Sequence, residues 1–293
     1  MHDIKIGTLL SAGNVGKAMA KLIGYGFETF SITFWQEIGE HDLAALSKEV
    51  KGILQGSGCS ISSLSIFANP LTGDAGGEKA RKDWLRLIEA AELFGTDLVT
   101  GFAGRLVDRP VDESIPVFGQ VFSELAQAAA KKNVRIAIEN CNMGGDWQRG
   151  EWNIGYSSKA WEMMFDSVPY DNIGLQWEPC HQMVQLVDPI PQLRKWVKKI
   201  FNVHGKDATV AWDLIRERGI YCGDAFVWHR TPAFGDSNWT DIISILRMNG
   251  YKGSIDIEGF HDPVYCGELE YTGQVYGLNY LKNCRGGEYV PNP

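Results

Sequence analysis

A short β-branched apolar run followed by an amphipathic helical stretch recurs about eight times along the chain, and this recurrence restricts the fold more than any other feature. The strand candidates are Ile4–Leu9, Glu28–Thr33, Ile61–Ile66, Thr96–Gly101, Arg135–Glu139, Ile173–Trp177, Ile200–His204 and Ser254–Glu258. Helical periodicity falls between them at Asn14–Gly24, Asp42–Gln55, Glu78–Phe94, Ser114–Lys132, Ser158–Phe165, Ile190–Lys198 and Trp239–Met248. Gly24-Tyr25-Gly26, Gly95 and Asn249-Gly250 follow such runs where C-terminal glycines belong. Strands that alternate with helices lie parallel, and eight of them close most naturally on themselves. The expected fold is therefore α/β, a (β/α)8 TIM barrel. No Pro- or Ser-rich linker divides it, so residues 1–293 read as a single domain with a C-terminal tail at about 265–293. The stretch 270–280 in that tail reads as crossing to a neighbour or covering its own barrel.

In such a barrel the loops after the strands build the active-site face. Two of them, Asn140–Tyr156 and Gly205–Asn238, are longer than the architecture requires. Four of the later strands end in a residue able to hold a metal: Glu139 in RIAIEN, Glu178 in IGLQWEPCH, His204 in IFNVHGKD and Glu258 in SIDIEGFHD. Any one of these alone reads equally as a loop cap or a surface charge. Together they mean more, because three unpaired carboxylates side by side cost several kcal/mol unless a cation or protons compensate. Three carboxylates with one imidazole make a mainly oxygen site, which suits a divalent ion such as Mn²⁺, Mg²⁺ or Co²⁺ better than a structural zinc, and Mn²⁺ is the first choice.

Other classes of function lack support. The formal charge of −8 argues against nucleic acid as a partner, since phosphate binding wants clustered Lys and Arg. There is no phosphate-binding Gly-x-x-x-x-Gly-Lys loop and no Gly-x-Ser-x-Gly nucleophile elbow. No run approaches the ~18–20 apolar residues of a membrane helix, and the first residues lack the pattern of a secretory signal. The cysteines, Cys59, Cys141, Cys180, Cys222, Cys266 and Cys284, form no Cys-x-x-Cys pair and read as reduced thiols of a cytoplasmic protein.

Nearly the whole chain resembles the sugar isomerase and epimerase superfamily, which takes in xylose isomerase-like barrels, ketose 3-epimerases and the endonuclease IV barrel. The resemblance implies one metal held by Glu139, Glu178, His204 and Glu258, matched on the motifs IEN, E-P-C-H, H-G-K-D and I-E. Glu178 departs from the pattern, because relatives carry Asp there and the longer side chain extends that arm by roughly 1.5 Å. The endonuclease relatives use three metals and extra histidines, whereas the early strands here are read as ending in Thr8, Thr33, Ile66 and Gly101.

The implied chemistry is proton abstraction beside a sugar carbonyl, with Glu139 and Glu258 exchanging the proton as acid and base. His181 matches a histidine that touches substrate oxygens. Lys206 reads either as a partner of a substrate oxyanion or as a partner of Asp207. Arg230, in the Trp228–Gly235 stretch, reads as gripping substrate hydroxyls, and His181 or His229 as a candidate general acid. Aromatics crowd the expected mouth, with Phe34, Trp35, Trp147, Trp152, Trp177 and Trp228 at or after strand ends; Trp35 and Trp147 are taken as sugar-stacking faces.

The leading expectation is a metal-dependent isomerase or epimerase acting on a small sugar, free to form homo-oligomers. Its rival is a lyase or dehydratase that uses the same metal site on a keto-sugar, keto-inositol or keto-glycoside. A sugar-binding barrel without turnover is disfavoured, since it needs no acid and base pair.

Overall fold

A computed structural model describes residues 3–259 and 261–293. Its barrel strands are β1 (Lys5–Ser11), β2 (Thr29–Trp35), β3 (Ser60–Phe67), β4 (Leu98–Gly101), β5 (Arg135–Glu139), β6 (Ile173–Trp177) and β7 (Ile200–Gly205). A hairpin, β8 (Asp207–Val210) and β9 (Val227–Arg230), precedes the last barrel strand, β10 (Ser254–Ile257). The closed order is β1-β10-β7-β6-β5-β4-β3-β2, and every neighbouring barrel pair is parallel. The chain is thus the expected (β/α)8 TIM barrel in a single domain.

Side chains alternate along each strand, so one parity meets the helices and the other the barrel interior. The outward parity is apolar and buried: Phe30, Ile32 and Phe34 on β2, Ile136 and Ile138 on β5, Ile255 and Ile257 on β10. The inward parity is polar. Ser31 and Ser63 hydroxyls lie 2.8 Å apart, and Thr100 donates to Ser65 at 2.7 Å. Across the barrel Gln176 donates to Asn202 at 2.8 Å, while Asp256 accepts from Asn202 and Thr29, each at 2.9 Å. Branched aliphatics usually fill this space; here hydrogen-bonded polar groups take much of it. A Cβ on Gly7 would stand 2.3 Å from the Asp256 carboxylate, so β1 passes this network only as glycine.

The helices are α1 (Val15–Leu22), α2 (Leu43–Leu54), α3 (Ala75–Phe94), α4 (Val111–Lys131), α5 (Ser158–Ser167), α6 (Cys180–Val184), α7 (Pro189–Trp196), α8 (Trp212–Arg218), α9 (Trp239–Met248) and α10 (Glu270–Cys284). Asp42, Asp74, Ser157, Asp188 and Asn238 accept first-turn amides and start five of them. Fully buried Trp84, Trp161, Trp177 and Trp239 fill space between the helices and the sheet.

Several boundaries differ from the sequence reading. β2 runs past Thr33 to Trp35, and β1 past Leu9 to Ser11, because the polar inward parity continues to the mouth. β4 begins at Leu98, since Thr96 spends its hydroxyl on the Ser62 carbonyl and the Leu98 amide in the preceding turn. Residues 270–284 form α10, which packs on β1, β10 and α9 of its own barrel as an outer helix. No described helix is long and apolar enough to cross a membrane.

Candidate active site

Glu139 ends β5, His204 lies near the end of β7, and Glu178 and Glu258 directly follow β6 and β10. Each sits two residues beyond an inward neighbour, in the pairs Ala137–Glu139, Gln176–Glu178, Asn202–His204 and Asp256–Glu258. Strand alternation therefore aims all four into the mouth. One ligand atom from each lies within 4.8 Å of the other three, and all four residues are buried.

Two asparagines hold these strand ends. Asn140 accepts from the Glu178 amide and donates to the Glu178 carbonyl, both at 2.9 Å, which continues the β5–β6 ladder past its last rung. Asn153 donates to the carbonyls of Glu139 at 2.8 Å and Cys141 at 2.7 Å, and accepts from Ala103 and Gly155 amides at 3.0 Å. Beneath the long loop after β5, the fully buried Arg105 donates to the carbonyls of Arg109, Asp146 and Trp147.

The donor set fits a divalent cation. His204 Nδ1 stands 3.2 Å from Glu139 Oε1 and 3.1 Å from Glu258 Oε2. Yet His204 Nδ1, Glu258 Oε2 and Glu178 Oε1 make no hydrogen bond among the described residues. Buried lone pairs that crowd one point without bonding each other are what a cation would satisfy. The second oxygens are occupied: Lys206 Nζ donates to Glu258 Oε1 at 2.8 Å, and the Cys180 thiol donates to Glu178 Oε2 at 3.3 Å.

Electrostatics separates the carboxylates. Burial, with Glu178 and Glu258 nearby, lifts Glu139 above the ordinary carboxylate range despite His204. Glu258 is equally buried, but Lys206 and His204 outweigh that and hold it well below the range. Burial is likewise overcome at Glu178, brought down to about 2 by His181 and Lys206.

A cavity of about 910 Å³ opens above the cluster, lined on one side by Glu139, His181, Lys206, His229, Glu258 and His261. His181 Nε2 is 3.1 Å from Glu178 Oε1, and its ring meets His229 edge-on at 5.1 Å. Burial, Lys206 and His181 push His229 down to about 3, which keeps it neutral. Trp35, Phe67, Phe102 and Met143 line the cavity as well.

Several expected contacts fall elsewhere. Arg230 is outside the cavity lining; its Nε faces Asp262 at 3.3 Å and its guanidinium lies over Phe234. Trp147 also stands away, donating to Asp112 at 3.1 Å with Lys159 over its ring, so it pins the loop to α4. Phe34 and Trp177 have the outward parity and are buried. Lys206 pairs with Glu258 instead of Asp207, whose carboxylate turns to the Ser237 amide at 3.0 Å and the Trp239 indole at 3.1 Å. Trp152 backs Trp35 with ring centroids 6.2 Å apart. Phe67, Phe102, Met143 and His261 were not foreseen. For the two phenylalanines the signal was present, since Ser63-x-Ser65-x-Phe67 and Thr100-x-Phe102 keep the inward parity.

A family model described as xylose isomerase-like TIM barrel matches residues 19–284. Over 183 residues the chain is 26% identical to the inosose dehydratase of Clostridium tetani, covering 57% of this chain and 56% of that protein. With the inosose isomerase of Halalkalibacterium halodurans it shares 27% identity over 146 residues, 50% of this chain and 46% of that protein. The chain thus spans about half the length of the curated relatives it matches. Among solved structures it resembles a xylose isomerase domain protein from Planctomyces limnophilus with a TM-score of 0.74 at 15% identity, covering 96% of both chains. It also resembles the apo 3-keto-D-glucoside 4-epimerase of E. coli with a TM-score of 0.71 at 17% identity, over 96% of this chain and all of that one. At these identities the structural likeness establishes the fold.

Proposed function

The chain belongs to the xylose isomerase-like TIM barrel family, and from that premise we propose that it is a divalent-metal-dependent isomerase or epimerase that moves a proton beside the carbonyl of a small sugar. The observation that carries this reading is the convergence of Glu139, Glu178, His204 and Glu258 within 4.8 Å, with lone pairs left unpaired. These four residues would hold the ion, Mn²⁺ by preference, with Mg²⁺ or Co²⁺ also suited to the ligands. When bound, it supplies positive charge beside the carbonyl and its neighbouring hydroxyl, where charge develops as the C–H proton leaves.

Glu258, held by Lys206, is suited to take the proton, and Glu139, at the end of β5, to return one. Lys206 donates to Glu258 Oε1 and so holds the carboxylate in one orientation. His181, in the cavity and against Glu178, orients substrate hydroxyls. His229 offers a neutral nitrogen for a hydroxyl.

A second reading, elimination, is supported by the histidines in the cavity, His181, His229 and His261, and by the similarity to an inosose dehydratase. There the same C–H proton goes to the carboxylate, a C=C bond forms, and a β-hydroxyl leaves as water with a proton from His181. The test is metal content by elemental mass spectrometry with deuterium uptake from D₂O into keto-sugars and inososes. Stoichiometric metal with exchange into an intact sugar is expected for the first reading, and exchange with loss of water for the second. Absence of both metal and exchange after Mn²⁺ is supplied overturns both.

A further inference from the structure

We infer that the cavity has a second compartment, an aromatic subsite formed by Trp35, Phe67 and Phe102 that takes a flat aromatic aglycone attached to the sugar. This rests on the proposed function insofar as the sugar unit occupies the carboxylate side.

The barrel order places the polar groups on one arc, β5-β6-β7-β10, and the aromatics on the complementary arc, β4-β3-β2. Trp35 ends β2, Phe67 ends β3 and Phe102 directly follows β4, so they are neighbours across adjacent strands. Phe67 and Phe102 ring centroids lie 4.9 Å apart, and Trp35 stands edge-on to Phe102 at 6.4 Å. Both phenylalanines are buried, whereas Trp35 is 55% exposed and lines the cavity. A buried aromatic base thus supports an indole whose own surface is still open, and apolar surface left in water is the part a ligand gains by covering.

Size points the same way. About 910 Å³ lies near the upper end of small-molecule sites, which run to roughly 1,000 Å³, and a single free sugar of about a dozen heavy atoms leaves much of it empty. Leu9, Met143 and Pro263 add apolar lining and no charge. Of the ligand chemistries a sugar can carry, a phosphate or a second carboxylate finds no cation on this arc, where the cavity lining is aromatic or aliphatic apart from Ser11 and Thr33. An aryl group finds stacking partners.

The test compares phenyl β-D-glucopyranoside with methyl β-D-glucopyranoside by calorimetry on the Mn²⁺-supplied protein. The phenyl glycoside is expected to bind about tenfold tighter or more, and Trp35→Ala to remove the difference while Trp35→Phe retains part of it. Glu139→Gln is expected to weaken both glycosides together and leave their ratio intact. Equal affinities, no binding of the phenyl glycoside, or a preference that survives Trp35→Ala overturns the subsite. Deuterium exchange into an unsubstituted keto-sugar is read separately, so loss of the aryl preference with exchange intact rejects this inference alone, and loss of exchange rejects the proposed activity. The Trp35 side chain is largely exposed, so an unchanged melting temperature of Trp35→Ala excludes misfolding as the cause.

Discussion

The two halves of the barrel mouth are built by the same rule and end in opposite chemistry. On β2, β3 and β4 the inward parity climbs through Ser31-Thr33-Trp35, Ser63-Ser65-Phe67 and Thr100-Phe102. On β5, β6, β7 and β10 it climbs through Ala137-Glu139, Gln176-Glu178, Asn202-His204 and Asp256-Glu258. Strand geometry delivers the last inward side chain to the mouth in every case, so the difference lies wholly in which residue stands there. One arc gathers charge that a cation or protons must balance, and the other gathers apolar surface open to water. The fold is thus a neutral carrier, and function resides in the terminal layer.

Four measurements probe this division, in order of decreasing effect. Replacing the proposed acid or base on the polar arc, with Glu139→Gln or Glu258→Gln, is expected to reduce deuterium exchange by about 10³-fold, within the usual range for lost general acid–base catalysis. Wild-type exchange by either variant would remove the polar arc from the chemistry.

Next in size is metal-linked stability. Mn²⁺ at about 100 times its Kd should add roughly 2.7 kcal/mol, a rise of about 4 °C in melting temperature for a chain of this length. Chelator should reverse the shift and His204→Ala abolish it. An equal shift in His204→Ala would place the ion elsewhere.

The clamp beneath the polar arc comes third. Asn153→Ala strips partners from two carbonyls and two amides around Glu139, with an expected loss of about 2 kcal/mol in urea denaturation. Trp35→Ala on the exposed aromatic side should change stability by no more than about 0.5 kcal/mol. Similar losses in the two variants would erase the contrast between a clamped arc and an open one.

The smallest effect concerns His229, held near 3 in the folded protein against an ordinary histidine value of 6.5. Above pH 6.5 both folded and unfolded states are neutral there, so the group contributes nothing to the pH dependence. As pH falls from 6.5 toward 3 the unfolded state takes a proton that the folded state refuses, and stability drops. His229→Phe should therefore lose less stability than wild type between neutral pH and about pH 5. Identical acid limbs would mean that His229 is not desolvated as the structure places it.

Much of this was legible in the residues. Eight β-branched runs between amphipathic stretches specified the barrel, since period two and period 3.6 leave few ways to bury both patterns. Glu139, Glu178, His204 and Glu258 could be read as a set because each stands at or just after the end of such a run. Arg230 and Trp147 were read as facing the substrate because their residue types suit sugars. Their directions depended on Asp262, 32 residues away, and on Asp112, 35 residues away. The role of residues 270–284 was equally open, for a helix that packs on β1 does so across nearly the whole chain.

The sequence by itself determined the strand and helix periods, the polar inward parity and the identity of the residue at each strand end. These are local properties, set by alternation along a few residues. Only the tertiary structure decided that β2, β3 and β4 adjoin one another opposite the carboxylates, that Lys206 reaches Glu258 instead of Asp207, and that α10 covers its own barrel. Those outcomes follow from closure of the sheet, which sets which distant side chains compete for the same partner, and no local pattern encodes that competition.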